Sequence, residues 1–279
     1  DIKSNKFQQA KASINIPNKI KTRWRNHFNT KDIEKIMQQN IIIPPALDLA
    51  ISNNEDINEW GKNLKGEIFG ENNIRIIKPS GKIEDLYGYN KGKWWIQDYS
   101  AQLPAKILIS SVKDNPEIID MCAAPGGKTA QMINYGANVT SIEINKKRAE
   151  ILKENLKRLN LKSKIIIDNA INFKSKIPVD GILLDAPCSS TGTFRKNPDI
   201  PWRIENDNQF VKKLFNLCKT QKMLLESASK SLKIGGTLIY SVCSLEIEEG
   251  KNQIIDFIKN NRNFSVKPIL KNEINIKNK

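Results

Sequence analysis

From residue 117 onward, short apolar runs alternate with longer stretches in which apolar residues recur at helical spacing. The runs at 117–121, 138–143, 164–168, 181–185 and 237–243 are rich in Ile, Val and Leu and read as strands. The stretches near 127–135, 146–159, 207–231 and 246–260 read as helices. In the second of these helices Asn145 stands at the cap position, and Ile151, Leu152, Leu156 and Leu159 fall on one stripe. Such alternation predicts an α/β fold, a parallel sheet with helices on both faces. Ligands of such sheets bind at the carboxyl ends of the strands.

The first 95 residues have a different rhythm. Residues 1–15 are polar and expected to fray. Pro17 opens a helix through Ile20, Trp24 and Phe28, whose rings are read as core. Lys19, Lys21, Arg23 and Arg25 lie in the same stretch and offer a basic face for RNA. Thr30 reads as the cap of a second helix, with Asp32 and Glu34 in its first turn, and Pro44-Pro45 ends the helical region. A short helix at 58–64 and strands at 74–77 and 93–96 follow, then a helix over 97–108. Tyr87, Tyr89, Trp94 and Trp95 interleave with Lys91 and Lys93, a composition that suits base stacking but more often seals an interior. The expected division is 1–95 as an N-terminal helical and small α+β region, a candidate RNA platform, and 96–279 as the α/β domain.

Composition narrows the function. The 279 residues are 39% hydrophobic, enough for a packed core. No apolar run approaches the roughly 20 residues of a membrane helix, and the first residues lack a signal-peptide core. Cys122, Cys188, Cys218 and Cys243 are widely spaced with no C-x-x-C pair, which predicts reduced thiols in the cytoplasm rather than zinc ligands or disulfides. The single histidine, His27, is far from the strand ends, so neither a Ser-His-Asp nor a His-metal mechanism is expected, and no metal. With 45 Lys+Arg against 30 Asp+Glu, the net charge of +15 favours a polyanionic partner, although richness in Ile, Lys and Asn also marks AT-rich genomes.

The chain is organised around 120–129, where the run ending in Asp120-Met121 turns through Cys122-Ala123-Ala124-Pro125-Gly126-Gly127-Lys128-Thr129 into a helix. Small residues at a strand-to-helix turn let backbone N–H groups approach a nucleotide-like cofactor. Gly127-Lys128-Thr129 ends like a phosphate-binding loop, yet Cys122 stands where that pattern needs its first glycine, and Pro125 restricts the turn. The favoured reading is a loop for S-adenosylmethionine. It expects an acidic residue at the end of the next strand to take the ribose hydroxyls, and Glu143 supplies one.

Two further strand ends carry Asp185-Ala186-Pro187-Cys188 and Ser241-Val242-Cys243. Thiols beside an activated methyl donor suggest methylation of pyrimidine C5. That carbon is a poor nucleophile until a thiolate adds at C6, and its proton must afterwards leave to free the thiolate. Such chemistry needs a nucleophilic Cys, a group that eases release and an acid near N3, roles that Cys243, Cys188 and Asp185 can fill. Cys218, in mid-helix, is read as core.

The segments 122–128, 185–189, Gly192-Thr193 with Asn197-Pro198-Asp199, and Cys243-Ser244-Leu245 followed by Glu248-Glu249 resemble the Sun/Fmu (RsmB-like) family of RNA 5-methylcytosine methyltransferases. Trp94-Trp95-Ile96-Gln97-Asp98 and Ser100-Ala101-Gln102-Leu103-Pro104 resemble that family's helix before the cofactor loop. The likeness covers 90–260 strongly and 17–90 loosely. It implies a Rossmann-like class I methyltransferase sheet, S-adenosylmethionine as cofactor, and RNA, ribosomal RNA first, as partner of a cytoplasmic monomer. It implies cofactor contacts from Cys122, Ala123, Ala124, Pro125, Gly126, Gly127 and Lys128 and from Glu143, Asp168 and Asp185. Cys243 is implied as nucleophile and Cys188 as release cysteine; Arg148 is either a cofactor-side support or a solvated helix residue. Three departures stand out. Val242 replaces the family's usual Thr, the chain is expected to begin after the family's N-terminal RNA-binding domain, and it is expected to lack the final strand hairpin, with 264–266 as the one candidate strand. The competing readings are a DNA cytosine methyltransferase, against which the Cys243-Ser244 motif counts, and a non-catalytic RNA-binding or assembly protein, against which both retained cysteines count.

Overall fold

The computed structural model describes residues 17–42 and 45–269. The polar stretches expected at 1–15 and 271–279, and Pro44, lie outside them. Along the chain run α1 (Asn18–Trp24), α2 (Thr30–Ile42), β1 (Leu47–Ile51), α3 (Ile57–Leu64), β2 (Glu67–Ile68), β3 (Asn73–Ile76) and β4 (Trp94–Ile96). There follow α4 (Tyr99–Ser110), β5 (Glu117–Met121), α5 (Gly127–Asn134), β6 (Asn138–Glu143), α6 (Lys146–Arg158), β7 (Lys164–Ile167) and β8 (Val179–Asp185). The last are α7 (Ile200–Asn206), α8 (Phe210–Ser229), β9 (Leu232–Ser241) and α9 (Lys251–Asn260). Two compact units result. One takes the described residues up to Pro45 with Pro187–Lys222 and Val242–Arg262; the other takes Ala46–Ala186, Met223–Ser241 and the described residues from Asn263.

The second unit holds two sheets. Strands β5 to β9 pair in parallel in the order β7-β6-β5-β8-β9, so the expected α/β architecture is present. The strand order reverses between β5 and β8, which is where open sheets of this kind leave a crevice for a ligand. On one face Ile118, Val139 and Leu183 pack with Ala105 and Leu108 of α4 and Met132 of α5. Ile119, Ile182 and Leu184 are buried on the other, as are Leu224, Leu225 and Ala228 of α8. The smaller sheet is antiparallel in the order β2-β3-β1-β4. There Leu49, Ile51, Ile74, Ile76 and Trp94 pack with Trp60 and Leu64, and Trp95 joins the cluster of Leu152, Leu156 and Leu159. Trp94 and Trp95 are therefore interior residues rather than a base-stacking surface.

Several boundaries differ from the pattern. Strand β9 begins at Leu232, before the Gly235-Gly236 pair, and ends at Ser241 rather than 243. Its register with β8 shifts between Val179 and Gly181, and Gly235 sits at φ 78°, so the glycines form a bulge inside the strand rather than a turn before it. Residues 264–266 form no strand. The helix expected from 246 starts at Lys251, because the carboxyl groups of Glu246 and Glu249 are engaged by distant residues. The cap of α2 is Asn29 rather than Thr30: its Oδ1 accepts the Asp32 N–H at 2.9 Å. Among the described residues, no helix is long and apolar enough to cross a membrane.

In the first unit, α1 is a packing element. Trp24 is fully buried and stacks on Phe194 with ring centroids 5.7 Å apart, in a cluster with Ile20, Ile33, Met37 and Leu214. Its Nε1 donates to Glu246 Oε1 at 3.0 Å, which satisfies the polar tip of a buried indole. Two of the four cations expected to face RNA are used internally. Arg23 pairs with Glu246 at 2.8 Å and Glu248 at 2.7 Å, and Lys19 Nζ donates to the carbonyls of Glu205 and Asp207.

Asp120, in β5, is 1% exposed. Its Oδ2 accepts from the Thr129 hydroxyl, while Oδ1 has no partner. Burial pushes its pKa from 3.8 up to about 7, against the smaller lowering influence of the Thr129 bond.

Two outcomes follow for stability. Trp24→Ala is expected to cost about 3–5 kcal/mol through loss of a buried ring, read as a lower urea midpoint; an unchanged midpoint would remove Trp24 from the core. For Asp120, the folded chain keeps a proton that the unfolded chain releases. Its contribution is full below 3.8 and is lost as pH rises towards about 7, by about 1.4 kcal/mol per pH unit at most. Asp120→Asn should flatten this part of the stability–pH profile, and a profile identical to the parent's would contradict the buried, protonated carboxyl.

Candidate active site

The loop after β5 is shaped by close approach. Cys122 (φ 65°) and Gly126 (φ 104°) take left-handed backbone conformations. A Cβ on Gly126 would lie 2.4 Å from Leu152 Cδ1, so this turn requires glycine. The Ala123 N–H donates to Ile142 O at 3.0 Å and the Ala124 N–H to Glu143 Oε2 at 3.3 Å, which tie the loop to the end of β6.

Glu143, 1% exposed, ends β6. Its Oε1 also accepts the Asn145 N–H at 3.0 Å, and Arg148 Nη1 lies 3.4 Å from Oε2. Arg148 Nη2 donates to the Ala124 carbonyl, so this side chain, although about half in solvent, braces the loop against the carboxyl group. Two carboxyl oxygens offer about four acceptor sites, and these amide donors leave capacity for a ligand's hydroxyls. Asn145 caps α6 as its position predicts.

Asp185 ends β8 beside the strand-order reversal. Lys128 Nζ donates to its Oδ2 at 2.7 Å and Ser241 Oγ to its Oδ1 at 2.8 Å. A phosphate-binding loop aims its lysine at the phosphates; here the lysine is held by a carboxylate, which counts against nucleotide hydrolysis. Burial first, then the nearby Glu143, Asp120 and Asp185, pushes the Cys122 thiol up to about 12, so it is no nucleophile near neutral pH. Asp168 lies just past β7, exposed, and its Oδ1 accepts the Asn169 N–H at 2.7 Å. No described bond joins it to Glu143 or Asp185.

Cys188 and Cys243 belong to the first unit, both in loops. Their sulfurs are 3.3 Å apart, and Cys243 Sγ is also 3.3 Å from Ser190 Oγ. Cys243 is exposed and Cys188 half-buried. The Cys188 pKa is raised, first by the S–H bond to Cys243, then by burial, then by the charge of Cys243. The Gly192 N–H donates to the Cys243 carbonyl at 2.9 Å, and a Cβ on Gly192 would sit 3.0 Å from that oxygen. Sequence reasoning gave no role to Ser189, Gln221 or Glu249, which hydrogen-bond together behind the thiols; Ser189 and Glu249 stood within motif segments, and Gln221 gave no signal. Cys218 packs against the cluster of Trp24 and Phe194, as a core residue should. Among the described residues, no group of three or more His, Cys, Asp or Glu is arranged to hold a metal ion.

Comparison with known proteins places this geometry. Ribosomal RNA small subunit methyltransferase B of Proteus mirabilis is 38% identical over 192 residues, which cover 67% of this chain and 44% of the relative. The protein of that name from Sodalis glossinidius is 36% identical over 190 residues, covering 66% and 42%. The chain thus spans less than half the length of these relatives. The crystal structure of NSun6 from Pyrococcus horikoshii shares the fold, with a TM-score of 0.74 at 19% identity over 88% of this chain and 87% of that one. Residues 107–279 match the family described as 16S rRNA methyltransferase RsmB/F, and with the parallel sheet, the glycine loop and the paired thiols in place, the chain belongs to that family.

Proposed function

We propose that this chain is the catalytic part of an RNA cytosine-C5 methyltransferase that uses S-adenosylmethionine and acts on ribosomal RNA. The observation that carries the reading is the pair of thiols 3.3 Å apart, one exposed and one half-buried. The reading includes work in the reducing cytoplasm, as a monomer and without a metal; the wide spacing of the four cysteines supports the reducing compartment. It assigns RNA contact to the 1–95 region, where Lys21 and Arg25 remain as cations beside the packed face of α1.

The residues present fit the cofactor. The cofactor is a cation with a ribose diol, and the loop end is lined by acceptors: Glu143, buried with spare acceptor sites, and Asp185. Gly126 and Gly127 allow close approach of the backbone. When bound, S-adenosylmethionine supplies an electrophilic methyl group. Glu143 would hold the ribose hydroxyls, the 122–128 backbone would line the cofactor, and Asp168 would be a further contact. Asp185, oriented by Lys128 and Ser241, would meet the base at N3 or the exocyclic amine. The Cys243 thiolate would add to C6, which turns the ring into an enamine with nucleophilic C5. Cys188 would assist loss of the C5 proton, so that the Cys243 sulfur departs and the ring regains its double bond.

Two measurements test this. Glu143→Ala is expected to weaken S-adenosylmethionine binding by about tenfold or more, the worth of one lost charge-assisted hydrogen bond. Calorimetry showing parental affinity in a folded variant would remove Glu143 from the cofactor site. The two cysteines should fail differently. Cys243→Ser should abolish transfer and form no covalent RNA adduct, since a hydroxyl is a far weaker nucleophile than a thiolate. Cys188→Ser should permit attack and stall release, leaving a slow-migrating protein–RNA band on a denaturing gel. The reverse pattern would exchange the roles and favour attack by the Pro187-Cys188 thiol. No band in either variant would end the covalent reading.

A further inference from the structure

Behind the thiols lies a carboxyl group that the mechanism above does not use. Glu249 is fully buried, in the segment between Cys243 and α9. It does not act as a cap for that helix, whose N-cap is Gly250 with no side-chain bond. Glu249 instead reaches the Cys188 loop. Its Oε1 accepts the Ser189 N–H at 2.9 Å and Gln221 Nε2 at 3.0 Å, and its Oε2 accepts the Ser189 hydroxyl at 2.5 Å. Gln221 Nε2 also donates to the Pro187 carbonyl at 2.9 Å, so the residues on both sides of Cys188 are held from one point.

The hydroxyl inventory gives this network a direction. Each hydroxyl has one proton to donate. Ser189 gives its proton to Glu249, so at the 3.0 Å contact between Ser189 Oγ and Ser244 Oγ the donor is Ser244. At the 3.1 Å contact between Thr191 Oγ1 and Ser244 Oγ the donor is then Thr191, which in turn accepts the Leu245 N–H at 2.9 Å. A chain of donors runs Thr191 to Ser244 to Ser189 to Glu249. Ser189 directly follows Cys188 and Ser244 directly follows Cys243. The carboxylate is the acceptor in which the whole chain ends, and charge at the end of such a chain strengthens every link.

We propose that Glu249 is the positioning residue of the thiol pair: it ends the hydroxyl chain that holds the Cys188 and Cys243 loops in register. The inference rests on the reading that both thiols act on the base. Glu249 has a second effect. The titratable groups that bear on Cys188 are Cys243 and Glu249, and the negative charge of each disfavours a thiolate there, against the Ser190 backbone N–H, which favours it. Glu249 thus helps keep Cys188 protonated, while Cys243 is the more exposed sulfur.

Geometry and charge can be separated experimentally. Glu249→Gln keeps an oxygen for the Ser189 N–H and removes the charge; Glu249→Ala removes both; Ser189→Ala removes only the hydroxyl between Glu249 and Ser244. The first readout is the rate at which diamide, a two-electron oxidant that takes one hydrogen from each thiol, cross-links Cys188 to Cys243, followed by peptide mass spectrometry. Glu249→Ala and Ser189→Ala should slow cross-linking by about tenfold or more, as expected for a displacement near 1 Å, while Glu249→Gln stays close to the parent. The second readout is the pH profile of Cys188 alkylation in a Cys243→Ser background. It should move to lower pH in both Glu249 variants and stay in place in Ser189→Ala, a pattern that a merely structural role would not produce. Folded variants with parental cross-linking rates and an unmoved alkylation profile would overturn the proposal. Neither readout needs methyl transfer, so a Cys243→Ser protein that still methylates RNA would sink the catalytic reading while leaving the outcome for Glu249 separately visible.

Discussion

A carboxyl group taken out of water must be met by donors or keep its proton, and both units are organised around how that demand is met. Glu143 is met by the amides of Ala124 and Asn145. Asp120 has only the Thr129 hydroxyl, and it keeps its proton up to about pH 7. In the other unit Glu246 is met by Arg23 and Trp24, and Glu249 by Ser189 and Gln221. Most of these donors lie far along the chain from the acid they serve. Satisfying the acids therefore holds irregular segments that neither a sheet ladder nor a helix would hold.

That explains where the chemistry-bearing residues sit. The residues from Cys122 to Gly126, Cys188 and Cys243 are all in loops, yet their backbones are specified. Gly126 lets the cofactor-type loop run against Leu152, and Gly192 lets its N–H reach the Cys243 carbonyl with no side chain in the way. A serine directly after each of these two cysteines carries the register from one loop to the other. Loop position gives exposure to Cys243, and the polar network gives it a defined place, a combination that apolar burial alone cannot supply.

The parallel sheet was legible because its signals are local. Apolar runs bounded by turn residues identify β5, β6 and β8, and Asn145 advertises the start of α6. Glu143 and Asp185 were legible as strand-end acids for the same reason. The misses are tertiary. The strand expected from 237 begins at Leu232, because β8 pairs on both sides of the Gly235-Gly236 bulge. The segment 246–250 has helical spacing, but Glu246 and Glu249 find partners in other segments that outcompete a first helical turn. Lys19 and Arg23 read as a basic face, and the acceptors that use them lie in 205–207 and 246–248, which no local pattern announces. Glu249 was visible as part of a motif; its work depends on three hydroxyls whose meeting only folding reveals.

In the proposed function, two cysteines serve better than one. Two thiolates 3.3 Å apart would repel strongly, so ionisation of one sulfur disfavours ionisation of the other. The hydrogen bond to Cys243, burial and the charges of Cys243 and Glu249 all raise the Cys188 pKa. In the proposed function, attack on the base turns the Cys243 sulfur into a neutral thioether. Any charge on Cys243 that suppressed ionisation of Cys188 then vanishes. Cys188 becomes more acidic only after the first thiol has reacted. The order of events, attack by one sulfur and proton handling by the other, is then set by electrostatics within the pair rather than by a difference in intrinsic chemistry between two identical side chains.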